Sequence, residues 1–269
     1  MRLLVRTWNV FHGNVYPAER RAYLQEMVRL ASADGPDVLC LQEIPVWALE
    51  RLDEWSGMTV FGEVAAPPRI GPFPSTAELG RVLTFDHGLL RSAFTGQANA
   101  ILVRPELRTT TCGAIVLNSS GFRKVQAARL GLDLVARLAW AKERRVCQAL
   151  GLELTDGRAV LIANLHATGL PDDRIPDAEL LRAAGFADRL ARPGELCVLA
   201  GDFNVQAARS ATLDELTGPD WRFSEPIAGL DQVLVRGAAA VRAERWPVGR
   251  RRVEGRVLSD HAPVEARIE

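Results

Sequence analysis

Short apolar segments of strand length recur along the chain, and polar or turn-forming residues separate them. Runs of this length between turn-forming residues are typical of buried β-strands. The segments are 3–10, 38–44, 100–103, 111–117, 159–166, 197–200, 230–235 and 264–268. The pattern predicts a protein whose core is built from strands.

Two other segments, 18–32 and 177–191, space their apolar residues with the period of a helix. The apolar positions are Leu24, Met27, Val28 and Ala31 in the first, and Leu180, Ala184, Ala187 and Ala191 in the second. Strands mixed with helices indicate an α/β or α+β protein. Since no position marks a second domain, residues 1–269 are predicted to form one domain.

Three segments have less regular patterns. Residues 65–98 are rich in Pro and Gly and are predicted to be a long irregular segment, which in a compact domain is often functional. Residues 123–142 suggest an amphipathic helix, although Gly131 opposes it. Residues 236–256 indicate strands joined by a basic loop. The apolar positions of the suggested helix are Val125, Ala128, Leu132, Val135 and Leu138.

Composition excludes several classes of protein. Of 269 residues, 48% are apolar and 25% are charged, which argues against a disordered, collagen-like or coiled-coil chain. No stretch approaches the roughly 18 uninterrupted apolar residues of an integral membrane segment. The N-terminus lacks the pattern of a signal peptide, so a cytoplasmic location is expected. The four cysteines form no C-x-x-C pair, which favours reduced, buried thiols over a zinc site or disulfides.

The formal net charge is zero, but the charge is unevenly distributed. Residues 120–146 and 236–256 each hold seven basic and two acidic side chains, a net charge of +5 in each segment. Such segments can bind phosphate backbones, and Trp140 and Trp246 within them could stack on unpaired bases. Alternatively, the arginines could form an ordinary solvated surface. Residues 123–142 could instead contact an anionic membrane surface, and both tryptophans could be core residues.

Polar side chains occur at the ends of six predicted strands, which is how an α/β scaffold places a site on rigid elements. Each residue taken alone would most often be a turn, cap or structural residue. The group includes the acids Glu43, Asp202, Asp231 and Asp260, the amides Asn9, Asn164 and Asn204, and the histidines His166 and His261.

The order of these residues resembles the endonuclease/exonuclease/phosphatase superfamily, which includes pancreatic-type deoxyribonuclease, exonuclease-III-type abasic-site endonucleases, inositol-polyphosphate 5-phosphatases and neutral sphingomyelinases. The resemblance implies an α/β fold, a four-layer α/β sandwich of two packed mixed β-sheets flanked by helices. The motifs that carry it are Thr7-Trp8-Asn9, Leu41-Gln42-Glu43, Asn99-Ala100-Ile101-Leu102, Asn164-Leu165-His166, Gly201-Asp202-Phe203-Asn204, Leu230-Asp231 and Ser259-Asp260-His261.

The resemblance also implies roles for these residues in hydrolysis of a phosphoester with Mg²⁺ or Mn²⁺. Glu43 would be the main metal ligand, with Asn9 beside it and Asp260 joining. Asp202 would orient or deprotonate the attacking water, and Asn204 would hold the scissile phosphate. His261, fixed by Asp231, would stabilise phosphoryl charge or act as acid–base, and His166 would be a general acid or a phosphate donor.

Asn99 and Asn164 would contribute to substrate binding. His12 could contact substrate phosphate, or be a polar turn residue. The sequence departs from the deoxyribonuclease branch after Glu43, where Ile44-Pro45-Val46-Trp47 replaces a groove-binding arginine. The branch's glutamate partner for the first histidine is also missing, since the corresponding stretch reads Gln97-Ala98-Asn99.

The resulting hypothesis is a metal-dependent phosphoesterase, foremost a nuclease-like phosphodiesterase that contacts nucleic acid through segments 120–146 and 236–256. The alternative enzyme acts on a small or lipid phosphate, such as an inositol phosphate or a sphingomyelin-like phosphodiester. A third alternative is a catalytically silent binding module, against which the complete acid, amide and histidine set argues.

Overall fold

The computed structural model describes residues 2–71, 73–84 and 94–269. Its strands are β1 (Leu3–Asn9), β2 (Val15–Tyr16), β3 (Val38–Ile44), β4 (Thr59–Ala66), β5 (Arg69–Ile70), β6 (Phe73–Pro74), β7 (Gln97–Val103), β8 (Arg108–Val116), β9 (Val146–Glu153), β10 (Ala159–His166), β11 (Leu196–Asp202), β12 (Asp231–Arg236), β13 (Val241–Arg245), β14 (Arg252–Val253), β15 (Arg256–Leu258) and β16 (Val264–Ile268). Its helices are α1 (Leu24–Ser32), α2 (Leu52–Ser56), α3 (Ala77–Thr84), α4 (Ser120–Arg129), α5 (Leu134–Lys142), α6 (Arg174–Leu190) and α7 (Ala211–Thr217).

Two mixed sheets form the centre of the fold. The first has the strand order β13-β16-β1-β3-β7-β4, and the second has the order β12-β11-β10-β9-β8. Each contains one parallel pair, β1 with β3 and β10 with β11, while their other neighbours are antiparallel. Parallel strands end at the same edge of a sheet, so each sheet brings two carboxyl ends together.

The sheets pack face to face with helices outside them. Val5 and Cys40 of the first sheet belong to the same buried cluster as Leu150 and Val198 of the second. The outer face of the first sheet packs on α1 and α2, and that of the second packs on α6 and α7. Because both faces of each sheet are covered, the central strands read as continuous apolar runs. The predicted four-layer α/β sandwich is confirmed.

The long helical pattern of residues 123–142 was predicted incorrectly. Gly131 adopts a positive φ of 62° and separates α4 from α5. The interruption rotates α5, so that Trp140 is buried while Val135 and Leu138 are exposed. The proposed apolar face of one helix therefore does not exist.

Other element predictions differ from the structure at their boundaries. Helix α1 begins at Leu24 rather than near residue 18, because the backbone N–H of Tyr23 donates to Gly13 O and holds the preceding segment in a turn. Part of the segment 65–98 is regular, since it contains α3 and the β5–β6 pair; the predicted loop at 85–93 lies outside the described residues. Strands β4 and β9 were not predicted as separate elements, whereas residues 236–256 contain β13 and β14, in agreement with the strands predicted there.

The predicted burial of the thiols holds for three of the four cysteines: Cys40, Cys147 and Cys197 are buried and Cys112 is exposed. Burial raises the pKa of the Cys197 thiol to about 12 and raises the pKa of Cys40 and Cys147 further. Within the described ranges, none of the helices has the length and apolar character needed to cross a bilayer.

Candidate active site

Both sheets deliver polar side chains to one edge of the sandwich. Asn9 ends β1, and Glu43 lies near the end of the parallel strand β3. In the second sheet, His166 and Asp202 end the parallel strands β10 and β11 and are register partners. Asp231 begins the antiparallel strand β12 opposite Asp202. The topology therefore brings together residues that lie far apart in sequence.

Asn9 connects the acidic residues of the two sheets. Its Nδ2 donates to Glu43 Oε1 at 3.1 Å and to Asp202 Oδ2 at 3.0 Å, while its Oδ1 accepts from the backbone N–H of Phe11. One amide thus holds two carboxylates from opposite sheets at hydrogen-bonding distance. Glu43 also lies 3.3 Å from His12, measured from Oε2 to Nε2.

Asp231 and His261 form the second half of the centre. The Nδ1 atom of His261 lies 2.9 Å from Asp231 Oδ2, and its Nε2 lies 3.9 Å from Asp202 Oδ2. Burial opposes the positive charge of His261, but the hydrogen bond to Asp231 and the charges of Asp202, Asp231 and Asp260 raise its pKa to about 10. The histidine is therefore cationic at neutral pH.

Asp202 is almost fully buried, and its pKa is raised to about 7, first by that burial and then by the negative charges of Asp231 and Glu43. The hydrogen bond from Asn9 and the charge of His261 act in the opposite direction. A carboxylate with a raised pKa is a better proton acceptor than an ordinary aspartate.

The backbone adopts the left-handed region at several residues of this edge. Glu43, Asn204 and Ser259 have φ values of 56°, 52° and 59°, and the β3–β7 register shifts between Leu41 and Ile44. Non-glycine residues in this region are strained, and such residues cluster at functional sites. The irregularity at Glu43 turns its side chain out of the strand alternation.

Hydrogen bonds from Arg251 and to β1 hold the loop Ser259-Asp260-His261 in place. Arg251 is buried, and its NH1 donates to the carbonyls of Leu258, Ser259 and His261. Ser259 Oγ donates to the carbonyl of Asn9 at 2.7 Å, which ties the loop to β1. Arg251, part of a predicted basic surface, is instead a buried support of this loop.

His166 lies between the carboxylates and a basic residue. Its Nε2 is 3.5 Å from Asp202 Oδ2 and 3.7 Å from Glu43 Oε1. Gln97 Nε2 lies 2.9 Å from His166 Nδ1, and Arg145 NH1 lies 3.0 Å from both ring nitrogens. The pKa of His166 is well below its ordinary value because of burial and the charges of Arg145, His261 and His12.

The partner of His166, which the sequence did not provide, is therefore Gln97 together with Arg145. Gln97 lies in the stretch where the deoxyribonuclease branch has the glutamate partner of its first histidine. The sequence comparison therefore indicated the correct region for this contact. The sequence motifs do not include Arg145. It immediately precedes β9 and reaches the site only because β9 pairs with β10.

The two amides predicted to bind substrate are buried inside the sandwich. Asn164 is fully buried; its Nδ2 donates to the carbonyls of Leu41 and Ala100, and its Oδ1 accepts from Gln42. All of its polar atoms thus connect the two sheets. Asn99 is also fully buried, and its Nδ2 donates to the Val146 carbonyl. Substrate binding by these residues stays a prediction, and their positions favour a supporting role.

Asn204 and Asp260 flank the centre. The Nδ2 of Asn204 donates to the carbonyl of Ala167, and its backbone N–H donates to Asp202 Oδ1 at 3.2 Å. Asp260 is exposed, and its Oδ1 lies 3.4 Å from Ser259 Oγ. Its charge contributes to the raised pKa of His261.

A cavity of about 690 Å³ adjoins the centre at His12. Pro45 and Trp47 from the segment after Glu43 line it, together with the cationic side chains of Arg20 and Arg51. Because Glu26 and Glu54 also line the cavity, it combines apolar walls with charges of both signs next to the candidate centre. Its lining includes the Pro45–Trp47 stretch at which the sequence departs from the deoxyribonuclease branch.

The two basic segments differ in structure. Several arginines of 236–256 pair with acids, and Trp246 is buried. The pairs are Arg236–Asp188, Arg242–Glu244, Arg250–Asp34 and Arg256–Glu19. In segment 120–146, Trp140 is also buried, while Lys124, Arg129 and Lys142 are exposed. Both tryptophans are core residues.

The donor set fits a divalent cation. Asp202 and Asp231 place carboxylate oxygens within 4.8 Å of each other, and Glu43 is joined to Asp202 through Asn9. His261 lies within the same distance, but its cationic ring does not act as a ligand. Carboxylate and amide oxygens are ligands that Mg²⁺ and Mn²⁺ favour. The crowding that raises the pKa of Asp202 would be relieved by such an ion.

Comparison with known proteins agrees with this geometry. The model of the "Endonuclease/Exonuclease/phosphatase family" matches residues 7–261. The human Nocturnin catalytic domain with bound sulfate has a TM-score of 0.68 and 17% identity, covering 100% of this chain and 93% of that one. TDP2 from Caenorhabditis elegans has a TM-score of 0.61 and 17% identity, covering 100% and 74%. A family protein from Bacteroides thetaiotaomicron has a TM-score of 0.63 and 15% identity, covering 100% and 95%. No curated protein matches the sequence significantly.

Proposed function

Because the chain belongs to the endonuclease/exonuclease/phosphatase family, we propose that it is a divalent-metal-dependent phosphodiesterase whose centre is built from the strand ends described above. The observation that carries the proposal is the position of Asn9, which joins Glu43 and Asp202 across the two sheets beside the Asp231–His261 pair. Phosphodiester hydrolysis needs a base for water and positive charge near the phosphoryl oxygens, and this arrangement offers both.

Glu43 would hold the Mg²⁺ or Mn²⁺ ion, with Asp260 at the rim. Asn9 would join it through Oδ1, the amide atom that accepts from the backbone N–H of Phe11 in this structure. When bound, the ion supplies Lewis-acid polarisation of the phosphate and lowers the pKa of a bound water. Asp202 accepts a proton from the attacking water, for which its raised pKa of about 7 is suited. The Asn204 amide beside it orients the phosphate.

The two histidines take different tasks. His261 is cationic through Asp231 and stabilises the negative charge of the phosphoryl oxygens. His166 is neutral, and Gln97 and Arg145 offer N–H groups to its ring. With Nδ1 accepting from them, Nε2 carries the proton and donates a hydrogen bond into the site. This geometry favours the role of phosphate donor over that of general acid for His166.

The foremost substrate hypothesis is a nucleic-acid phosphodiester. It is supported by the exposed cations of 120–146, but not by the largely paired arginines of 236–256. The second candidate is a lipid or small phosphodiester, which the exposed aliphatic side chains of 120–142 and the cavity at Trp47 favour. A cytoplasmic location stays a prediction.

The site is tested by Glu43→Gln and Asp202→Asn, which keep side-chain size. We expect each to lower metal-dependent hydrolysis by about 10²-fold or more, since a ligand or a base is lost. Hydrolysis is measured with Mg²⁺ and with Mn²⁺ on single- and double-stranded DNA, abasic DNA, RNA, inositol phosphates, sphingomyelin and a generic phosphodiester. Glu50→Gln, an exposed acid near the end of β3, is the matched control.

Circular dichroism of the variants separates loss of chemistry from loss of fold. Activity that persists in both site variants, or that resists a chelator, contradicts the proposal. The substrate panel also decides between the two candidates. Metal-dependent hydrolysis of nucleic acids alone supports the first, and metal-dependent hydrolysis of lipid or small phosphates alone supports the second.

A further inference from the structure

Helices α4 and α5, residues 120–142, expose large aliphatic side chains to solvent. Leu134, Val135 and Leu138 are 70%, 76% and 63% exposed, and Val125 of α4 is 51% exposed. Single exposed apolar residues are ordinary, but neighbouring ones that form a patch mark an interaction surface. We call residues 120–142 the hairpin.

The exposed aliphatic side chains share one face of α5. Leu134 and Leu138 are one turn apart, and Val135 and Lys142 lie beside them on the same side at 100° per residue. The opposite face carries Trp140 and Ala136, which pack with Ala127 and Ile175. Trp140 is anchored further by donating to Glu179. The helix is thus held with one apolar side inward and another apolar side outward.

The hairpin also carries exposed cations, of which Lys142 lies on the aliphatic face of α5. Lys124, Arg129 and Lys142 are exposed, and none has an ion-pair partner within the described part of the chain. The two acids of the hairpin region are already engaged: Asp133 caps α5 by accepting from Ala136 N, and Glu143 pairs with Arg145. The face therefore combines aliphatic surface with unneutralised positive charge.

The hairpin is inserted at the edge of the candidate active site. It leaves the second sheet after β8 and returns at β9, and the flanking residues Val116 and Val146 are paired. Arg145, immediately before β9, contacts His166. A surface that docks through the hairpin would therefore meet the protein beside the catalytic centre.

This combination distinguishes among partners. A nucleic acid would use the cations and exposed aromatic rings, but Trp140 is buried and the exposed side chains are aliphatic. An anionic bilayer uses both features, since aliphatic side chains enter the acyl boundary while Lys and Arg contact the headgroups. We propose that the hairpin docks this protein on an anionic lipid surface.

Vesicle co-sedimentation tests the proposal with the full chain. We expect binding to phosphatidylcholine vesicles that contain phosphatidylglycerol, and little binding to phosphatidylcholine alone. Reversing two charges, Arg129→Glu with Lys142→Glu, should weaken binding by about 30-fold or more, since each basic residue near such a surface contributes about 1 kcal/mol. Leu134→Glu with Leu138→Glu should weaken it at least about tenfold.

Val248→Glu is the matched control, because Val248 is 46% exposed outside the hairpin. Thermal melting of each variant shows that it is folded, as expected for exposed positions. Glu43→Gln should bind vesicles like the unaltered protein, which separates docking from catalysis. The proposal is overturned by absent vesicle binding, by hairpin variants that bind undiminished, or by hairpin-dependent binding to DNA without binding to vesicles.

Discussion

At the scale of single residues, the site shows how similar side chains acquire opposite protonation states. His166 and His261 both lie within 4 Å of Asp202, at 3.5 and 3.9 Å. His261 has its own carboxylate, Asp231, and its pKa is raised; His166 is buried beside Arg145, and its pKa is lowered. The sequence resemblance predicted Asp231 as the partner of His261, but it left the partner of His166 open, because Arg145 reaches that histidine only through strand pairing.

Replacing Arg145 by Met should raise the pKa of His166 towards its ordinary value. The variant removes a positive charge at 3.0 Å, whereas burial, the larger cause of the lowered pKa, is retained, so the recovery is partial. Titration of the histidine ring signals by NMR measures the effect. His261 serves as the internal control, and an unchanged His166 titration contradicts the assigned contact.

At the scale of elements, β11 depends on a glycine just before Asp202. Gly201 has a φ of 142°, and a Cβ atom at this position would lie 1.9 Å from the carbonyl oxygen of Leu165 on β10. The close approach of the parallel strands β10 and β11 is what brings His166 and Asp202 into register. Glycine in this motif is therefore required by packing of the two strands.

Gly201→Ala should destabilise the protein by about 2 kcal/mol or more, because backbone must move to admit the methyl group. Chemical denaturation measures the free energy of unfolding. Gly121→Ala in α4 is the control: its Cβ meets nothing within 4 Å, and alanine favours a helix, so it should be neutral or mildly stabilising. Equal effects in the two variants contradict this explanation.

A buried ion network joins β1, β16 and the end of α1. Arg6, fully buried, donates to Glu265 and to Asp34, and Trp246 donates to Glu265 at 2.7 Å. Burial raises the pKa of Glu265, but the hydrogen bonds from Trp246 and Arg6 outweigh it, so the pKa is lowered overall. The hydrogen bonds from Arg6 lower the pKa of Asp34 in the same way.

This network predicts loss of stability in acid. Because the folded pKa values lie below the unfolded ones, the stabilisation is present above the ordinary carboxyl range and is lost as pH falls through the folded values. Between about pH 6 and about pH 3, the free energy of unfolding should depend less on pH in Glu265→Gln than in the unaltered protein. Near neutral pH, the free energy of unfolding of this variant should be lower by about 3 kcal/mol. Glu50→Gln, at an exposed acid, should change neither quantity appreciably.

Periodicity predicted the central strands well because both of their faces are covered, which leaves continuous apolar runs such as Val38–Ile44. It failed for α5, where Gly131 redirects the chain and a tertiary contact of Trp140 with Glu179 decides which side is buried. It also could not identify Gln97, Arg145 or Arg251 as contacts of site residues. Those contacts arise from strand pairing and from loop packing, and neither leaves a local pattern.

At the scale of the whole molecule, the buried carboxylates of the candidate centre lower the stability of the folded protein. Glu43, Asp202 and Asp231 lie at the junction of the two sheets, and the pKa of Asp202 is raised first by burial and then by the negative charges of the other two. A group whose folded pKa is raised in this way opposes folding when it is ionised. Binding of a divalent cation to the folded state alone would offset that cost.

Mg²⁺ or Mn²⁺ should therefore raise the melting temperature relative to the chelated protein. Without metal, Asp202→Asn should melt higher than the unaltered protein, since repulsion is removed; each kcal/mol corresponds to about 2–4 °C in a chain of this size. Glu43→Gln should lose most of the metal-induced increase, which differential scanning calorimetry measures. An equal increase in Glu43→Gln and the unaltered protein contradicts the assigned ligand.

The pairing of Val116 with Val146 has an evolutionary consequence. Because the hairpin leaves and rejoins the sheet at neighbouring residues, a lineage can lengthen, shorten or exchange it without shifting the register of the strands that bear Asn9, His166 or Asp202. If the hairpin docks the protein as proposed, mutations there would change where it docks, while the strand ends of the candidate site would keep their positions. The hairpin is thus a part of the chain that can vary in sequence and length while the candidate site keeps its geometry.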